Sequence, residues 1–192
     1  MKNKPVSAII LAAGNSGRMG IDKALLKFPD GRTFVETLVS HYKTFGADPV
    51  VLVINEKIDQ TLLNIQGCLC IINRHPEWGR FYSIRLGLDH VPAGACCFIQ
   101  NVDNPFVHED LSHGMLRAVL PAGFVVPATD RRAGHPLLLG EKMVDELRAM
   151  DNKIDFREVL KTFPRIEINF PDPRIHWNIN TPEDYQQFIK SI

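Results

Sequence analysis

Short, continuously apolar, β-rich runs recur along this chain: Val6–Leu11, Val50–Ile54, Cys68–Ile72 and Cys96–Ile99. A strand that meets water on neither face has no need to alternate polar and apolar residues, so runs of this kind predict strands covered on both sides. Between them, Thr33–Phe45, Ile58–Ile65 and Phe81–His90 carry helical spacing, and Phe34, Leu38, Tyr42 and Phe45 fall on one helical face. Strands and helices that alternate at this length predict an α/β fold, a three-layer α/β/α sandwich around a mostly parallel, Rossmann-like sheet. In the last third, Phe124–Val126 and Leu137–Leu139 read as strands, and Glu141–Met150 and Phe156–Phe163 as helices. Thr181-Pro182-Glu183-Asp184 is a helix start, with Thr as N-cap, Pro at the first helical position and acids at the positive dipole end. With 192 residues, no repeat and no long linker, the chain is read as a single domain over 1–192.

Charge narrows the partners. Lys plus Arg and Asp plus Glu are 22 each, so no global field draws the chain to nucleic acid or an anionic membrane. No stretch approaches the ~18 to 20 apolar residues of a membrane helix. The apolar run after Pro5 is read as a first strand, not a secretion signal, and the expected location is cytoplasmic. Cys68, Cys70, Cys96 and Cys97 lie in apolar runs without C-x-x-C spacing, so buried reduced thiols are expected. His108-Glu-Asp-Leu-Ser-His113 is one residue too long for a helical zinc pair. Five residues advance roughly 500°, leaving the imidazoles about 140° apart, so surface or capping histidines are expected.

The stretch Leu11-Ala-Ala-Gly14-Asn-Ser16-Gly17-Arg18-Met-Gly20-Ile-Asp-Lys23 directly follows the first strand. Open α/β sheets bind ligands at that carboxyl end. Small residues at 12–14 permit close backbone approach, and successive free N–H groups suit phosphate oxygens. Arg18 adds a bidentate cation and Lys23 a mobile point charge, as a loop for a polyanion requires. Gly14, Gly17 and Gly20 fit neither the dinucleotide G-x-G-x-x-G nor the Walker pattern, because Lys23 precedes Ala24. Glycines alone would also suit a plain surface loop.

Leu11–Lys23 matches L-A-A-G-x-S-x-R-M-G-x-x-K at every position and so resembles the signature of the MobA/MocA-like nucleoside-triphosphate transferases that modify molybdopterin. The resemblance implies the nucleotide-diphospho-sugar transferase fold and a loop that holds the triphosphate and part of the base. It places Leu11, Ala12, Ala13, Gly14, Ser16, Gly17 and Lys23 at the nucleotide, with Arg18 and Lys23 stabilising charge on the phosphates. Ala13 resembles the cytidylyl-transferring branch, since guanylyl transferases tend to carry Leu-Ala-Gly-Gly, and implies CTP.

Other segments extend the resemblance. Asp103, in Gln-Asn-Val-Asp103-Asn-Pro105, is read locally either as an Asx turn before Pro105 or as a carboxylate at the sheet's ligand-binding end. The family has Asp-Met-Pro here as its metal-binding acid, which implies Mg²⁺ and nucleotide contact at Asp103. Asn104 stands where the family has Met and is expected to change nothing. Trp177-Asn178-Ile-Asn180-Thr-Pro-Glu-Asp184 is similar to the closing (N/D)-I-(N/D)-T-P-E-D, which implies Asn180 as second metal ligand and, less directly, Asn178 on the acceptor side; both also suit a strand end before a capped helix. Asn73–Leu88 resembles G-x-x-x-S-[LI]-x-x-G-L and implies Asn73, Gly79 and Ser83 at the nucleotide. Gly134-His135-Pro136 resembles an acceptor-side Gly-His-Pro, with Arg131 and Arg132 read either as a phosphate grip or as solvated surface.

Together these readings imply Mg²⁺-dependent nucleotidyl transfer from an NTP, CTP favoured, to a phosphorylated small-molecule acceptor of the molybdopterin kind. Nucleic acid and membrane are not expected as partners, and a monomer or small homo-oligomer is. A sugar-1-phosphate nucleotidyltransferase and a non-catalytic nucleotide-binding module are the alternatives.

Overall fold

A computed structural model describes residues 4–14, 19–56, 65–151 and 154–192. In chain order the strands are β1 (Val6–Ala12), β2 (Val50–Asn55), β3 (Leu69–Asn73), β4 (Cys96–Asn101), β5 (Phe124–Thr129), β6 (Arg132–Ala133), β7 (Leu137–Leu139) and β8 (Arg165–Asn169). The α-helices are α1 (Phe34–Phe45), α2 (Arg80–Leu88), α3 (Glu109–Ala118), α4 (Glu141–Ala149), α5 (Phe156–Leu160) and α6 (Pro182–Lys190). The strand order is β3-β2-β1-β4-β7-β5-β6, with β8 pairing β5. β1, β2, β3 and β4 pair in parallel, as do β5 and β8, while β7 runs antiparallel to β4 and β5. The mostly parallel α/β/α sandwich read from the sequence is the fold observed.

Two apolar cores flank the sheet. Ala8 and Ile10 of β1 enter one, packed with Phe34, Leu38 and Tyr42 of α1, Leu111 and Met115 of α3 and Phe188 of α6. Ile9 enters the other, with Phe81, Ile84 and Leu88 of α2, Met143, Val144 and Leu147 of α4, and Phe156 and Val159 of α5. Successive strand residues point to opposite faces, so a strand covered twice must be apolar throughout. Helix α1 starts at a Thr33–Glu36 capping box and ends at Gly46, whose φ of 91° places it in the left-handed region. Thr181 caps α6 as its sequence implied, and with Asp184 it forms the corresponding box.

Several expectations are corrected. Strand β3 is a half-exposed sheet edge, with Leu69 and Ile72 on the surface, rather than a strand covered on both faces. Helix α5 stops at Leu160, four residues before Pro164, where the chain turns into β8. The helix read over Ile58–Ile65 falls almost wholly outside the described residues. All four cysteines are free, but only Cys96 and Cys97 are buried; Cys68 and Cys70 are half-buried at the β3 edge. A hydrogen bond from Cys68 draws the Cys70 thiol down to about 7, and burial lifts Cys96 to about 11. His108 caps α3 by accepting from Asp110 N, and His113 pairs with Glu109 at 3.6 Å, so both take the capping and surface roles expected of them. No described helix is long and apolar enough to cross a membrane.

Gly87 explains how α2 reaches the sheet. A Cβ there would lie 2.7–2.9 Å from three side-chain atoms of Ile9, which is itself fully buried in the central strand. Gly87→Ala gains about 1 kcal/mol of helix propensity but incurs about 1–3 kcal/mol of overpacking. The expected net result in chemical denaturation is a loss of up to about 2 kcal/mol. A variant as stable as the wild type would show that α2 has room to move.

Candidate functional site

Strand order reverses beside β1: the chain builds outward through β2 and β3, then returns to place β4 on the other side of β1. Crevices at such switch points are where open α/β sheets hold ligands. Leu11 pairs with Asn101, so the loop after β1 and the turn after β4 leave the sheet at the same level. A cavity of about 300 Å³ lies there, lined by Leu11, Ala12, Ala13, Gly14, Lys23, Gly79, Ser83 and Asp103. These residues, drawn from three separate sequence segments, were all assigned to the nucleotide or metal site from the sequence. Ser16, Gly17 and Arg18 lie outside the described residues.

Lys23 opens a single 3₁₀ turn, Lys23–Leu25, capped by Asp22. Its Nζ donates to Asn180 Oδ1 at 2.6 Å and to Asp103 Oδ2 at 3.4 Å. The ammonium therefore joins the two groups read as metal ligands. Asp103 Oδ1 is buried and has no hydrogen-bond partner among the described residues. A buried carboxylate oxygen left in that state is costly, and it is relieved by a cation. Asn180 is fixed from its own side: its N–H donates to Asp184 Oδ2 at 2.9 Å and its Nδ2 to Asn178 O at 3.1 Å. The Asn180 amide, with Thr181, holds the Asp184 carboxyl below its usual range, so Asp184 stays an anionic cap.

Other sequence-assigned residues are placed differently from one another. Asn73 is buried behind the cavity wall, giving its Nδ2 to Ser83 Oγ at 2.9 Å and accepting from His75 N at 2.7 Å. It orients Ser83, which does line the cavity. Asn178 lines a separate cavity of about 220 Å³ beside Asp184 and Phe188, and Arg131 in the β5–β6 turn and Arg132 at the start of β6 are both exposed.

A second, larger cavity of about 1010 Å³ adjoins the first and shares Gly79 and Arg80 with it. Among the described residues its walls carry Arg80, Arg157, Lys161 and Arg165 against a single acid, Asp155, over an apolar floor that includes Phe81, Phe156 and Phe163. The Arg80 guanidinium lies 5.7 Å from the Phe156 ring centre, within cation–π range. The sequence reading did not assign these four cations to the site. Arg80 was legible as the neighbour of Gly79, but Arg157, Lys161 and Arg165 depend on how α5 and β8 pack.

His135 belongs to the same wall. Its backbone N–H donates to Ile175 O, and its Nε2 lies 3.3 Å from Asn101 Nδ2. Burial, with Arg80 and His176 nearby, lowers its pKa to about 4, so the ring is neutral at pH 7. With Asn101 donating to Nε2, the ring proton resides on Nδ1, which is buried and has no partner among the described residues.

The sequence model of the MobA-like NTP transferase domain matches residues 8–167. Among curated proteins, the molybdenum cofactor guanylyltransferase of Xanthomonas euvesicatoria pv. vesicatoria (strain 85-10) is 23% identical over 197 residues, covering 97% of this chain and 95% of that protein. Two solved structures share the fold. Rv0371C of Mycobacterium tuberculosis H37Rv, in complex with manganese, superposes with a TM-score of 0.79 at 17% identity, covering 98% of this chain and all of that one. Molybdopterin-guanine dinucleotide biosynthesis protein A from Archaeoglobus fulgidus gives 0.71 at 22%, covering 96% and 97%.

The depressed His135 pKa makes stability pH-dependent. The unfolded imidazole takes up a proton near 6.5 and the folded one only near 4, so stability falls as pH drops through that window, by at most about 1.4 kcal/mol per pH unit. His135→Gln is expected to flatten this acid limb in denaturant titrations at pH 4.5 and 7. An unchanged slope would mean that the ring is protonated without penalty.

Proposed function

The chain belongs to the MobA-like NTP transferase family, and from that membership and the geometry of the β1–β4 crevice we propose that it transfers a nucleotidyl group from a nucleoside triphosphate, CTP by preference, to a phosphorylated acceptor of the molybdopterin class, with Mg²⁺ as its metal. The observation that carries the reading is the placement of Lys23 between Asp103 and Asn180, beside the small-residue loop. Asp103 Oδ1, without a partner among the described residues, and the Asn180 amide oxygen are hard oxygen donors, the kind Mg²⁺ takes in ones and twos while substrate phosphates complete its shell. The manganese complex of the mycobacterial neighbour supports a divalent ion on this fold. When bound, such an ion neutralises charge on the phosphates.

The protein's own groups position the reactants. Backbone N–H groups of the loop after β1, with Arg18 and Lys23, hold the triphosphate. An acceptor phosphate oxygen attacks the α-phosphorus in line, the bond to the β-phosphate bridging oxygen breaks, and pyrophosphate leaves with that electron pair. The acceptor phosphate is largely ionised at pH 7, so no general base is required. The neutral His135 therefore serves to orient the wall and not to take a proton. The cationic second cavity suits the anionic acceptor, and Arg80, common to both cavities, stands where the two substrates meet.

CTP is favoured because the buried Ala13 presents a methyl where guanylyl transferases tend to have glycine. The Xanthomonas guanylyltransferase is the observation on the other side and supports GTP as the second reading.

Lys23→Ala and Asp103→Ala are each expected to lower acceptor-dependent pyrophosphate release by about 10²–10³, with the melting temperature close to wild type. Normal turnover in both would overturn the mechanism. In direct binding, CTP is expected to outcompete GTP and ATP; tighter binding of GTP would reverse the base assignment and leave the reaction class standing.

A further inference from the structure

Asn104 is fully buried. Its Nδ2 faces three backbone carbonyls of one segment: Arg174 at 3.3 Å, Ile175 at 3.1 Å, and Trp177. Three converging acceptors fix the amide's orientation, because a flipped amide would set its oxygen against all of them. The opposite atom, Oδ1, is buried without a partner among the described residues. An unsatisfied buried oxygen costs about 1–3 kcal/mol. An apolar side chain would avoid that cost, so the amide is a poor choice for filling space and a specific one for gripping carbonyls.

The grip lies next to the reacting centre. Asp103 precedes Asn104, and Asp103 O accepts from Ile179 N at 2.7 Å, one residue before Asn180. The Asn104 carbonyl accepts from Gln100 Nε2 at 2.6 Å, and Gln100 Oε1 accepts from Tyr42 O–H at 2.9 Å in the α1 core. Ile175 O takes both Asn104 Nδ2 and His135 N–H, so three segments meet at one carbonyl. The turn after β4 is thus tied back to the core by Gln100, and forward to 174–177 by Asn104 and to Ile179 by the Asp103 carbonyl.

We propose that Asn104 is a positioning residue that sets the separation of Asp103 and Asn180, and through it the affinity of the site for its divalent metal. This rests on the metal-dependent reading above. Groups that orient metal ligands without touching the ion commonly change metal affinity by 10- to 100-fold when removed.

The test uses Mn²⁺ as probe, its free concentration read by electron paramagnetic resonance with the full chain and a non-hydrolysable α,β-methylene analogue of CTP. Asn104→Ala deletes the amide, and Asn104→Met fills the space without donating. Both variants are expected to weaken Mn²⁺ binding about 10- to 100-fold, to bind the analogue alone within twofold of wild type, and to exchange the Ile179 amide proton faster. Asn104→Met is expected to recover melting temperature lost in Asn104→Ala without recovering metal affinity. If Asn104→Ala does not fold, Asn104→Met carries the comparison. Wild-type Mn²⁺ affinity in Asn104→Met would overturn the proposal and leave Asn104 a space-filler. A wild-type protein that binds no Mn²⁺ with the analogue would overturn this proposal and the metal-dependent reading together.

Discussion

The parallel pairing of β1 with β4 is the constraint from which the site follows. Each residue of β1 between Ala8 and Ile10 is committed to one of two cores, so a slip of one residue against β4 would turn apolar side chains to the wrong face. A slip of two would keep the faces but move the strand ends by about 7 Å. The observed register, Val6 with Cys96 through Leu11 with Asn101, leaves the glycine loop and the Asp103 turn leaving the sheet side by side. Packing along the two strands thus decides whether Lys23 reaches Asp103.

Within that crevice, charge is distributed unevenly. Lys23 lies closer to the neutral Asn180 amide than to the Asp103 carboxylate, and one Asp103 oxygen stays buried without a hydrogen bond among the described residues. Such an oxygen is not an efficient way to stabilise a fold. It is an efficient way to hold a binding position ready for positive charge, because the desolvation of the carboxylate is met on folding and does not have to be met again on binding. The stability given up here is drawn from two cores whose central strands are buried along nearly their whole length.

Much of this was legible in the sequence because the signals were local. Continuous apolar runs identified β1, β2 and β4, and the loop from Leu11 carried its chemistry in consecutive residues. What escaped depended on contacts between distant segments. Strand β8 alternates exposed Arg165 and Glu167 with half-buried Ile166 and Ile168, the pattern of a strand covered on one side, and it pairs with β5 beyond the continuous runs. The edge position of β3 cannot be seen in its own residues, which resemble those of a central strand. Asn104 was the reverse case: replacing Met beside Asp103 looked inconsequential because its three partners lie some seventy residues further along the chain. Arg157, Lys161 and Arg165 gain meaning only when α5 and β8 close the second cavity.

That division has a consequence for what the molecule can vary. The positions proposed for phosphate and metal hang on β1 and β4, where both faces are packed and a substitution is felt in two cores at once. The wall proposed for the acceptor hangs on a five-residue helix and a strand with one covered face, whose cations lie on the wet side. Replacing Arg157 or Arg165 changes the charge of the second cavity while disturbing little apolar packing. Arg80 is the exception, since it lines both cavities from the first residue of α2. On the proposed reading the scaffold can change its acceptor through peripheral residues while the groups assigned to the triphosphate stay in place, and Arg80 is where the two requirements have to be reconciled.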